Sequence, residues 1–159
     1  GRGEGLGGEF PVNKTAAVAR ITPEMVDDSW RLQVIAGDRT VELSRSDLQA
    51  MTQRTEDLPI ACVEGWSSMQ TWTGVRLMDL AALVDAKDPA TMQVVSLQPQ
   101  GAFKRATIGR RQVADDRSLL ALQVAGADLS MDHGYPARLI VPALPGVHNT
   151  KWVSSVEFA

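Results

Sequence analysis

Cys62 is the residue that most clearly could take part in chemistry, because it is the only cysteine in the chain. It follows the apolar run of residues 58–61 and precedes Gly65 and Ser67. This order predicts a strand over residues 58–63 whose end delivers the sulfur to a polar loop. An intrachain disulfide is excluded, so three interpretations remain: a small buried hydrophobe, a nucleophile, or a thiolate ligand for a soft metal centre.

Polar side chains of other kinds cluster in three further places. These are the pair Asn13 and Lys14, residues 132–138, and residues 148–152. They supply cations, amides and imidazoles, which are the groups that hold a phosphate or a polar heterocycle. Each cluster is expected in a loop or at a strand edge, where a rigid scaffold presents side chains and free backbone N–H groups. Considered singly, each is equally compatible with a solvated lysine or a tight turn.

The elements that must position these residues are mostly strands. Alternating apolar residues predict a hairpin over residues 30–43, and Ser44 is the expected N-cap of a short helix. Helical spacing predicts a second helix over residues 77–84. Further strands are predicted over residues 92–97, 102–108, 119–124, 138–141 and 151–158, whereas residues 66–73 are interpreted as a loop. The fold class is therefore α+β: a β-rich mixed single domain with a few short helices.

Length and composition restrict the possible functions. With 159 residues, of which 44% are hydrophobic, the chain can bury one substantial core. The formal charge is −3 and the chain has no Lys/Arg block, so we do not expect it to bind nucleic acid. No apolar stretch approaches the roughly 18 to 20 residues that span a bilayer, so the chain as given is expected to be soluble. Residues 1–9 are glycine-rich and predict a flexible linker or the cut edge of a longer protein, with the domain over residues 10–159.

Four stretches carry a resemblance to a known family. They are residues 62–67, residues 72–80, residues 132–142 and residues 146–153. In their amino-acid sequences and in their order along the chain, they are similar to the molybdopterin-binding domain of the sulfite oxidase family. The resemblance covers nearly the whole chain from about residue 10. Within that family the chain resembles the bacterial branch that contains the catalytic subunit of the periplasmic protein-methionine-sulfoxide reductase. It is also similar to actinobacterial domains that follow a membrane-spanning segment.

The resemblance implies a molybdenum cofactor and a set of residues that hold it. Cys62 would be the catalytic residue and the only protein ligand to molybdenum, as a thiolate beside the dithiolene sulfurs of the pterin. Lys151 and Arg138 would supply positive charge to the phosphate. The full set of implied cofactor-binding residues is Asn13, Lys14, Cys62, Trp66, Ser67, His133, Arg138, His148, Asn149, Thr150 and Lys151. Protein made without the maturation machinery can fold without this cofactor.

The same resemblance implies an enzyme and a redox partner. The reaction would be oxygen-atom transfer, with a sulfoxide or a similar small oxo-substrate as the compound reduced. The chain lacks a Cys-x-x-Cys-His haem-attachment site, so a separate donor or acceptor, a membrane haem or quinone-linked domain or subunit, would exchange the electrons. The family resemblance places the domain at the extracytoplasmic face of the membrane, anchored in the full-length protein.

Sulfite oxidation is an alternative within the same family. Sulfite-oxidising members surround the metal with arginines, whereas Val63, Glu64 and Trp66 follow the cysteine here and are neutral or acidic. The alternative predicts that two or more arginines converge on the metal. The candidates are Arg76, Arg105, Arg110 and Arg111.

Three alternatives belong to other classes. One is a binding or sensory domain that keeps the fold without the cofactor. Another is a zinc site built from Cys62, His133 and His148, which lacks the paired ligand spacing of structural zinc sites. The last is Ser-His-Asp hydrolysis, for which Asp132 precedes His133 directly but no strained Gly-x-Ser-x-Gly turn supplies a nucleophile.

Overall fold

Two five-stranded sheets enclose the core in the computed structural model, which describes residues 14–61, 67–101, 104–142 and 149–159. The strands in these ranges are β1 (Leu32–Ala36), β2 (Arg39–Leu43), β3 (Arg54–Ala61), β4 (Ser67–Arg76), β5 (Thr91–Ser96), β6 (Arg105–Gly109), β7 (Leu119–Val124), β8 (Ala127–Asp128), β9 (Arg138–Ile140) and β10 (Val153–Phe158). The α-helices are α1 (Arg45–Ala50), α2 (Leu77–Leu83) and α3 (Arg110–Ala114), and a 3₁₀ helix covers Pro23–Val26.

The first sheet has the strand order β2-β1-β10-β5-β6. β1 and β10 are parallel, while the other described pairs in this sheet are antiparallel. The predicted hairpin is confirmed as β1 and β2, and Gly37 adopts a φ of 60° in the turn between them. Leu32 and Val34 alternate into the core with no exposed surface. This alternation is the signal that made the hairpin predictable.

The second sheet has the order β3-β4-β7, and β8 and β9 both pair with the remaining edge of β7. Strand β7 is apolar on both faces because two clusters use it. Leu120 and Leu122 contribute to the main core between the sheets, while Leu119 and Ala121 belong to a second cluster on the opposite face. A continuous apolar run of this kind is expected for a strand covered on both sides.

The interpretation of residues 66–73 as a loop is wrong for residues 67–73, which lie in β4. Trp72 has no exposed surface, and its indole Nε1 donates to the Leu58 carbonyl at 3.2 Å. The outward face of the strand is polar, and Thr71 donates to the Asp57 carboxylate of β3 at 2.6 Å. Hydrogen bonds between strands stabilise this face, so the apolar alternation that normally indicates a strand is weak here.

Helices α1 and α2 lie where the sequence predicts them. Ser44 caps α1 by accepting from the Asp47 N–H, and the Asp47 carboxylate accepts in return from the Ser44 N–H. Leu77 and Leu80 of α2 have no exposed surface and belong to the main core. No helix in the described parts of the chain is long and apolar enough to cross a membrane.

The chain before β1 packs more closely than its sequence indicates. Ala16, Ala19, Ile21 and Val26 form a third buried cluster with Trp152, which has 1% of its surface exposed. These contacts join two segments more than a hundred residues apart. They bring the start of the described chain to the residues just before β10, which include Lys151.

Candidate cofactor-binding site

The predicted metal ligand and three predicted cofactor-binding residues lie outside the described residues. They are Cys62, Asn13, Trp66 and His148. The strands around Cys62 are described: Ala61, the last residue of β3, pairs with Ser67, the first residue of β4. The predicted strand over residues 58–63 therefore agrees with the structure as far as Ala61, and its last two residues, Cys62 and Val63, lie outside the described residues. Ser67 is a strand residue.

Arg138 joins two of the predicted clusters. Its guanidinium donates to the carbonyl of His133 at 3.2 Å and to the carbonyl of Asn149 at 3.1 Å. It also lies over the ring of Trp72, 5.1 Å from the centroid. Arg138 is 4% exposed, and its Nε atom has no hydrogen-bond partner among the described residues. Burial lowers the pKa of Arg138 to about 9, which reflects the cost of keeping this cation away from water.

Lys151 joins the same region to the start of the described chain. Its ammonium donates to the carbonyl of Lys14 and, at 2.9 Å, to the carbonyl of Asp132. The Lys151 ammonium also lies 4.8 Å from the centroid of the Trp152 ring. Burial, with a further contribution from the charge of Arg138, lowers the pKa of Lys151 to about 7, and Asp132 opposes the shift.

Gly134 allows the turn to pack directly on both cationic side chains. Its φ is +114°, in the region that favours glycine. A Cβ at this position would lie 2.9 Å from the Cβ of Arg138 and 3.2 Å from the Cβ of Lys151. The close packing of this turn therefore requires glycine.

The remaining predicted residues hold the loops in place or offer a polar atom. His133 Nδ1 lies 3.0 Å from the hydroxyl of Ser130. The Asn149 side-chain oxygen accepts from the Val141 N–H at 2.8 Å, which anchors the chain where it enters β10. Thr150 is 4% exposed, and its hydroxyl has no hydrogen-bond partner among the described residues.

The structure thus brings together the described members of the predicted set, while the side chain of Ser67 lies outside what the structure describes. Lys14, His133, Arg138, Asn149 and Lys151 are connected by the contacts given above, and the Thr150 carbonyl accepts from the Leu139 N–H of β9 at 2.8 Å. This grouping supports a shared role, but each residue's role toward a cofactor stays a prediction.

Sequence reasoning predicts the turn that follows β5 but missed the burial of Gln98 within it. Gln98 is 2% exposed, and its side-chain Nε2 has no hydrogen-bond partner in the described ranges. Lys104 donates to the Gln98 carbonyl at 2.9 Å, and the Ser96 hydroxyl donates to the Lys151 carbonyl at 2.8 Å. The residues Gln-Pro-Gln-Gly indicate only a turn. The burial of Gln98 depends on the packing of this turn near Lys151, and no local pattern reveals it.

The electrostatics of this region suit an anion with several hydrogen-bond acceptors. No salt bridge joins Arg138 or Lys151 to a carboxylate within the described parts of the chain. The Asp132 carboxylate instead accepts from the Ala16 N–H at 2.8 Å. Three buried polar atoms lack partners there: Gln98 Nε2, Arg138 Nε and Thr150 Oγ1. Buried donors without acceptors are rare in folded proteins, so a ligand that supplies oxygen atoms fits these residues.

Comparison with known proteins identifies the family. Residues 19–159 match the family described as "Oxidoreductase molybdopterin binding domain". The chain belongs to this family. Molybdopterin carries a phosphate and a polar heterocycle, so a molybdopterin-binding domain requires the kind of cationic, donor-rich site described above.

Individual relatives agree with this assignment. The chain is 30% identical over 152 residues to "Uncharacterized oxidoreductase YuiH" of Bacillus subtilis, which covers 94% of this chain and 73% of that protein. It is 28% identical over 163 residues to the mitochondrial sulfite oxidase of Homo sapiens, covering 85% of this chain but only 30% of that protein. It is also 29% identical to the "Nitrate reductase [NADPH]" of Mycosarcoma maydis, covering 93% of this chain and 19% of that protein.

A solved structure supports the fold of the molybdopterin-binding domain. The sulfane dehydrogenase SoxCD from Paracoccus pantotrophus superposes with a TM-score of 0.72, at 23% identity, over 82% of this chain and 38% of that chain. This likeness confirms the β-rich α+β fold, while the family match and the relatives confirm the predicted family, the oxidoreductase class and molybdopterin as the cofactor.

Proposed function

We propose that this domain carries out oxygen-atom transfer at molybdenum held by molybdopterin, with the Cys62 thiolate as the protein ligand. When bound, the cofactor supplies a metal that changes oxidation state by two electrons as an oxygen atom is exchanged. A thiolate is a soft donor suited to this metal. The position of Cys62 directly after β3 supports its role as the ligand.

The observation that carries the proposal is the group of buried donors around Lys151. Arg138 is buried and Lys151 is half-buried, so their positive charges lie where attraction to a phosphate is stronger than in bulk water. The bases of their side chains pack on Gly134, and backbone carbonyls accept hydrogen bonds from the Lys151 ammonium and from the two terminal nitrogens of Arg138. The cations are therefore ordered before an anion arrives, which lowers the entropic cost of binding.

We propose a sulfoxide or a similar neutral oxo-compound as the substrate. Reduction of a sulfoxide takes two electrons and two protons and releases the sulfide and water, so a separate electron donor is required. The placement of Arg76 supports a neutral substrate. Arg76 lies nine positions after Ser67 in β4, which is about 30 Å along an extended strand. Arg76 is paired with Asp79 and Asp116 at that far end.

Arg110 is also remote from the Lys151 region. It follows the end of β6 that pairs with Thr91, whereas Ser96 at the other end of β5 contacts Lys151. Arg110 forms an ion pair with Asp88. Arg105 and Arg111 are exposed. Arg76 and Arg110 thus lie away from the Lys151 region, and this placement supports the proposal of a neutral substrate.

Sulfite oxidation is the second candidate, and the relatives favour it. Several of them are named sulfite oxidase, including the human protein. In this reaction sulfite and water yield sulfate, two electrons and two protons, so an electron acceptor is required. The domain spans about 30% of the length of those relatives, and their activity comes to this chain only as a proposal.

The two reactions are separated by one assay panel on protein matured in a host that makes molybdopterin. Reduced viologen dye serves as donor for a series of sulfoxides, and ferricyanide serves as acceptor for sulfite. We expect sulfoxide-dependent dye oxidation and little sulfite-dependent ferricyanide reduction. The reverse pattern would establish the second candidate. In either case Cys62→Ser should lose turnover, and full activity in a folded Cys62→Ser variant would contradict the assigned ligand.

The cellular setting follows from the family resemblance. We propose that the domain acts at the extracytoplasmic face of a membrane and exchanges electrons with a membrane haem or quinone-linked partner. A fusion of the full-length protein to a reporter enzyme that is active only outside the cytoplasm tests this location. Reporter activity supports it, and an inactive but stable fusion contradicts it.

A further inference from the structure

Arg45 reaches from the start of α1 to the turn that precedes β9. Its Nε donates to the Pro136 carbonyl at 3.1 Å, and one of its terminal nitrogens donates to the Leu122 carbonyl of β7 at 2.7 Å. The guanidinium also lies 4.8 Å from the centroid of the Tyr135 ring. One side chain thus joins the helix that follows β2 of the first sheet to a strand and a turn of the second sheet.

These contacts with neutral groups matter more than the ion pair that Arg45 also forms. The same terminal nitrogen lies 3.1 Å from the Asp128 carboxylate, but the side chain of Asp128 is 55% exposed, so water screens this pair. The Arg45 side chain is only 14% exposed, and Pro136 is buried. A buried carbonyl that loses its donor costs free energy, so removal of Arg45 would destabilise the present position of the turn.

The end of the helix that carries Arg45 is itself fixed. Ser44 caps α1 and exchanges two hydrogen bonds with Asp47. Leu48 of the same helix has no exposed surface and belongs to the main core. A donor at a fixed position can hold a turn in place, whereas a donor on a loose segment would move with the turn.

The turn that Arg45 contacts, residues 131–136, also holds the two main cations of the candidate site. Its Asp132 carbonyl accepts from the Lys151 ammonium, and its His133 carbonyl accepts from Arg138. A shift of this turn would therefore move the acceptors of both cations. Arg45 connects the same turn to the Leu122 carbonyl, which lies in the central part of β7.

We propose that Arg45 is a positioning residue for the cofactor site. By fixing the turn of residues 131–136, it keeps the carbonyl acceptors of Lys151 and Arg138 where these two cations can meet a phosphate. The inference rests on the proposed function, because Arg45 is assigned to act through these cations. Arginine suits this role since its planar fork carries donors in fixed directions while its face lies over an aromatic ring.

The test compares Arg45→Met with two controls, in protein matured in a host that makes molybdopterin. Arg45→Met keeps the aliphatic stem and removes every donor. Leu48→Val destabilises the same helix from the core, and Arg39→Met removes an exposed arginine that pairs with Asp85. The measured quantities are Tm and the rate of pterin loss during dialysis, at a temperature at which all the variants are folded.

We expect Arg45→Met to lose pterin about tenfold faster than either control. Tenfold is the effect of one hydrogen bond to a charged group. Arg45→Lys should lose pterin nearly as fast, because an ammonium lacks the fixed fork that contacts two carbonyls, and it replaces Arg45→Met if that variant does not fold. Full retention in Arg45→Lys, or pterin loss in Arg45→Met no faster than in Leu48→Val, would overturn the inference.

A second readout requires no cofactor and would not respond to a loss of global stability alone. The pKa of Lys151 is lowered to about 7 by burial and by the charge of Arg138, and the other charged groups that influence it are Asp132 and Lys14. NMR titration of the Lys151 side chain measures this pKa in folded, cofactor-free protein. In Arg45→Met a displaced turn would admit water to the ammonium, so the pKa should rise toward 10.5. An unchanged pKa would contradict the positioning role.

The NMR titration also separates this inference from the proposed function. If the wild-type protein carries no pterin after maturation, the molybdopterin proposal fails. The pKa of Lys151 then decides the role of Arg45 alone. A rise in Arg45→Met that is absent from Leu48→Val supports the positioning role, and equal pKa values in these two variants overturn it.

Discussion

Lys151 is the described residue at which most contacts of the site converge. Its ammonium donates to the carbonyls of Lys14 and Asp132, and its own carbonyl accepts from the Ser96 hydroxyl. Both acceptors of the ammonium are neutral, so its positive charge is not cancelled by direct contact with a carboxylate. A phosphate near Lys151 would be attracted by this charge, and the attraction would be stronger at this half-buried position than in bulk water.

We expect Lys151→Met to weaken retention of molybdopterin by at least tenfold. Methionine keeps an unbranched chain for packing against Gly134 but removes the charge and the donor. The measurement is pterin per polypeptide after maturation and dialysis. Lys87→Met is the control, since Lys87 is exposed. Equal pterin content in the two variants would contradict the role of Lys151.

The pKa of Lys151 also predicts how stability depends on pH. Burial lowers this pKa from 10.5 to about 7, so between these values the unfolded chain binds a proton that the folded chain does not. The free energy of unfolding of cofactor-free protein should therefore rise as the pH increases from 7 toward 10. Binding of an anion favours the charged lysine, so sulfate affinity should fall over the same interval.

Denaturant titrations at pH 7 and pH 9 check this prediction on wild-type protein and on Lys151→Met. The wild type should gain stability relative to the variant at the higher pH, because the variant has no group to deprotonate at this position. A constant difference between the two proteins at both pH values would show that Lys151 keeps an ordinary pKa in the fold.

At the scale of elements, the turn before β9 sets the geometry of the two main cations. Gly134 lies against the Cβ atoms of Arg138 and Lys151, at 2.9 and 3.2 Å from the position of an added Cβ. Cβ atoms are fixed to the backbone, unlike the flexible ends of long side chains. The Cβ atoms of Arg138 and Lys151 therefore cannot move without shifting the backbone of β9 or of the residues before β10.

Gly134→Ala should therefore reduce both stability and pterin retention. Gly126→Ala is the matched control, because Gly126 also has a positive φ, of 80°, but an added Cβ would meet nothing within 4 Å. Backbone strain is present in both variants, whereas the clash is present only in Gly134→Ala. Thermal unfolding and pterin content distinguish them. Similar losses in the two variants would mean that strain alone, and not contact with the cations, explains the effect.

The elements that could be predicted from the sequence are those whose signals are local. The β1–β2 hairpin, α1 and α2 follow from alternation, a capping pair and helical spacing. Strand β4 was not predictable in this way, because its polar face is stabilised by side chains of β3 such as Asp57. The burial of Ala16 and Ile21 could not be predicted because their partner, Trp152, is more than a hundred residues away.

The candidate site was predictable to a similar extent and for a similar reason. Lys14, Arg138 and Lys151 were assigned from the family resemblance, and the structure brings them together. The resemblance gave no indication that Arg138 also joins two loops through backbone carbonyls. Gln98 was missed because its burial depends on β10 and on Lys104, and neither contact leaves a pattern in the residues around it.

At the scale of the whole molecule, the site gathers segments that are distant in sequence. Lys14 belongs to the start of the described chain, Arg138 begins β9, and Lys151 precedes β10. The molecule has a formal charge of −3, yet these cations are close enough to lower the pKa of Lys151. The fold thus holds a local positive potential in an acidic protein, and repulsion among the cations opposes folding until an anion is bound.

Cofactor binding should therefore stabilise the domain as a unit. Ligand present at 100 times its Kd adds about 2.7 kcal/mol. For a domain of this size each kcal/mol raises Tm by about 2 to 4 °C, so matured protein should melt about 5 to 10 °C above protein made without the cofactor. Scanning calorimetry of the two preparations measures the difference, which Lys151→Met should reduce and Lys87→Met should preserve. Identical Tm values for the two wild-type preparations, with pterin confirmed in one of them, would mean that the cofactor does not connect these segments.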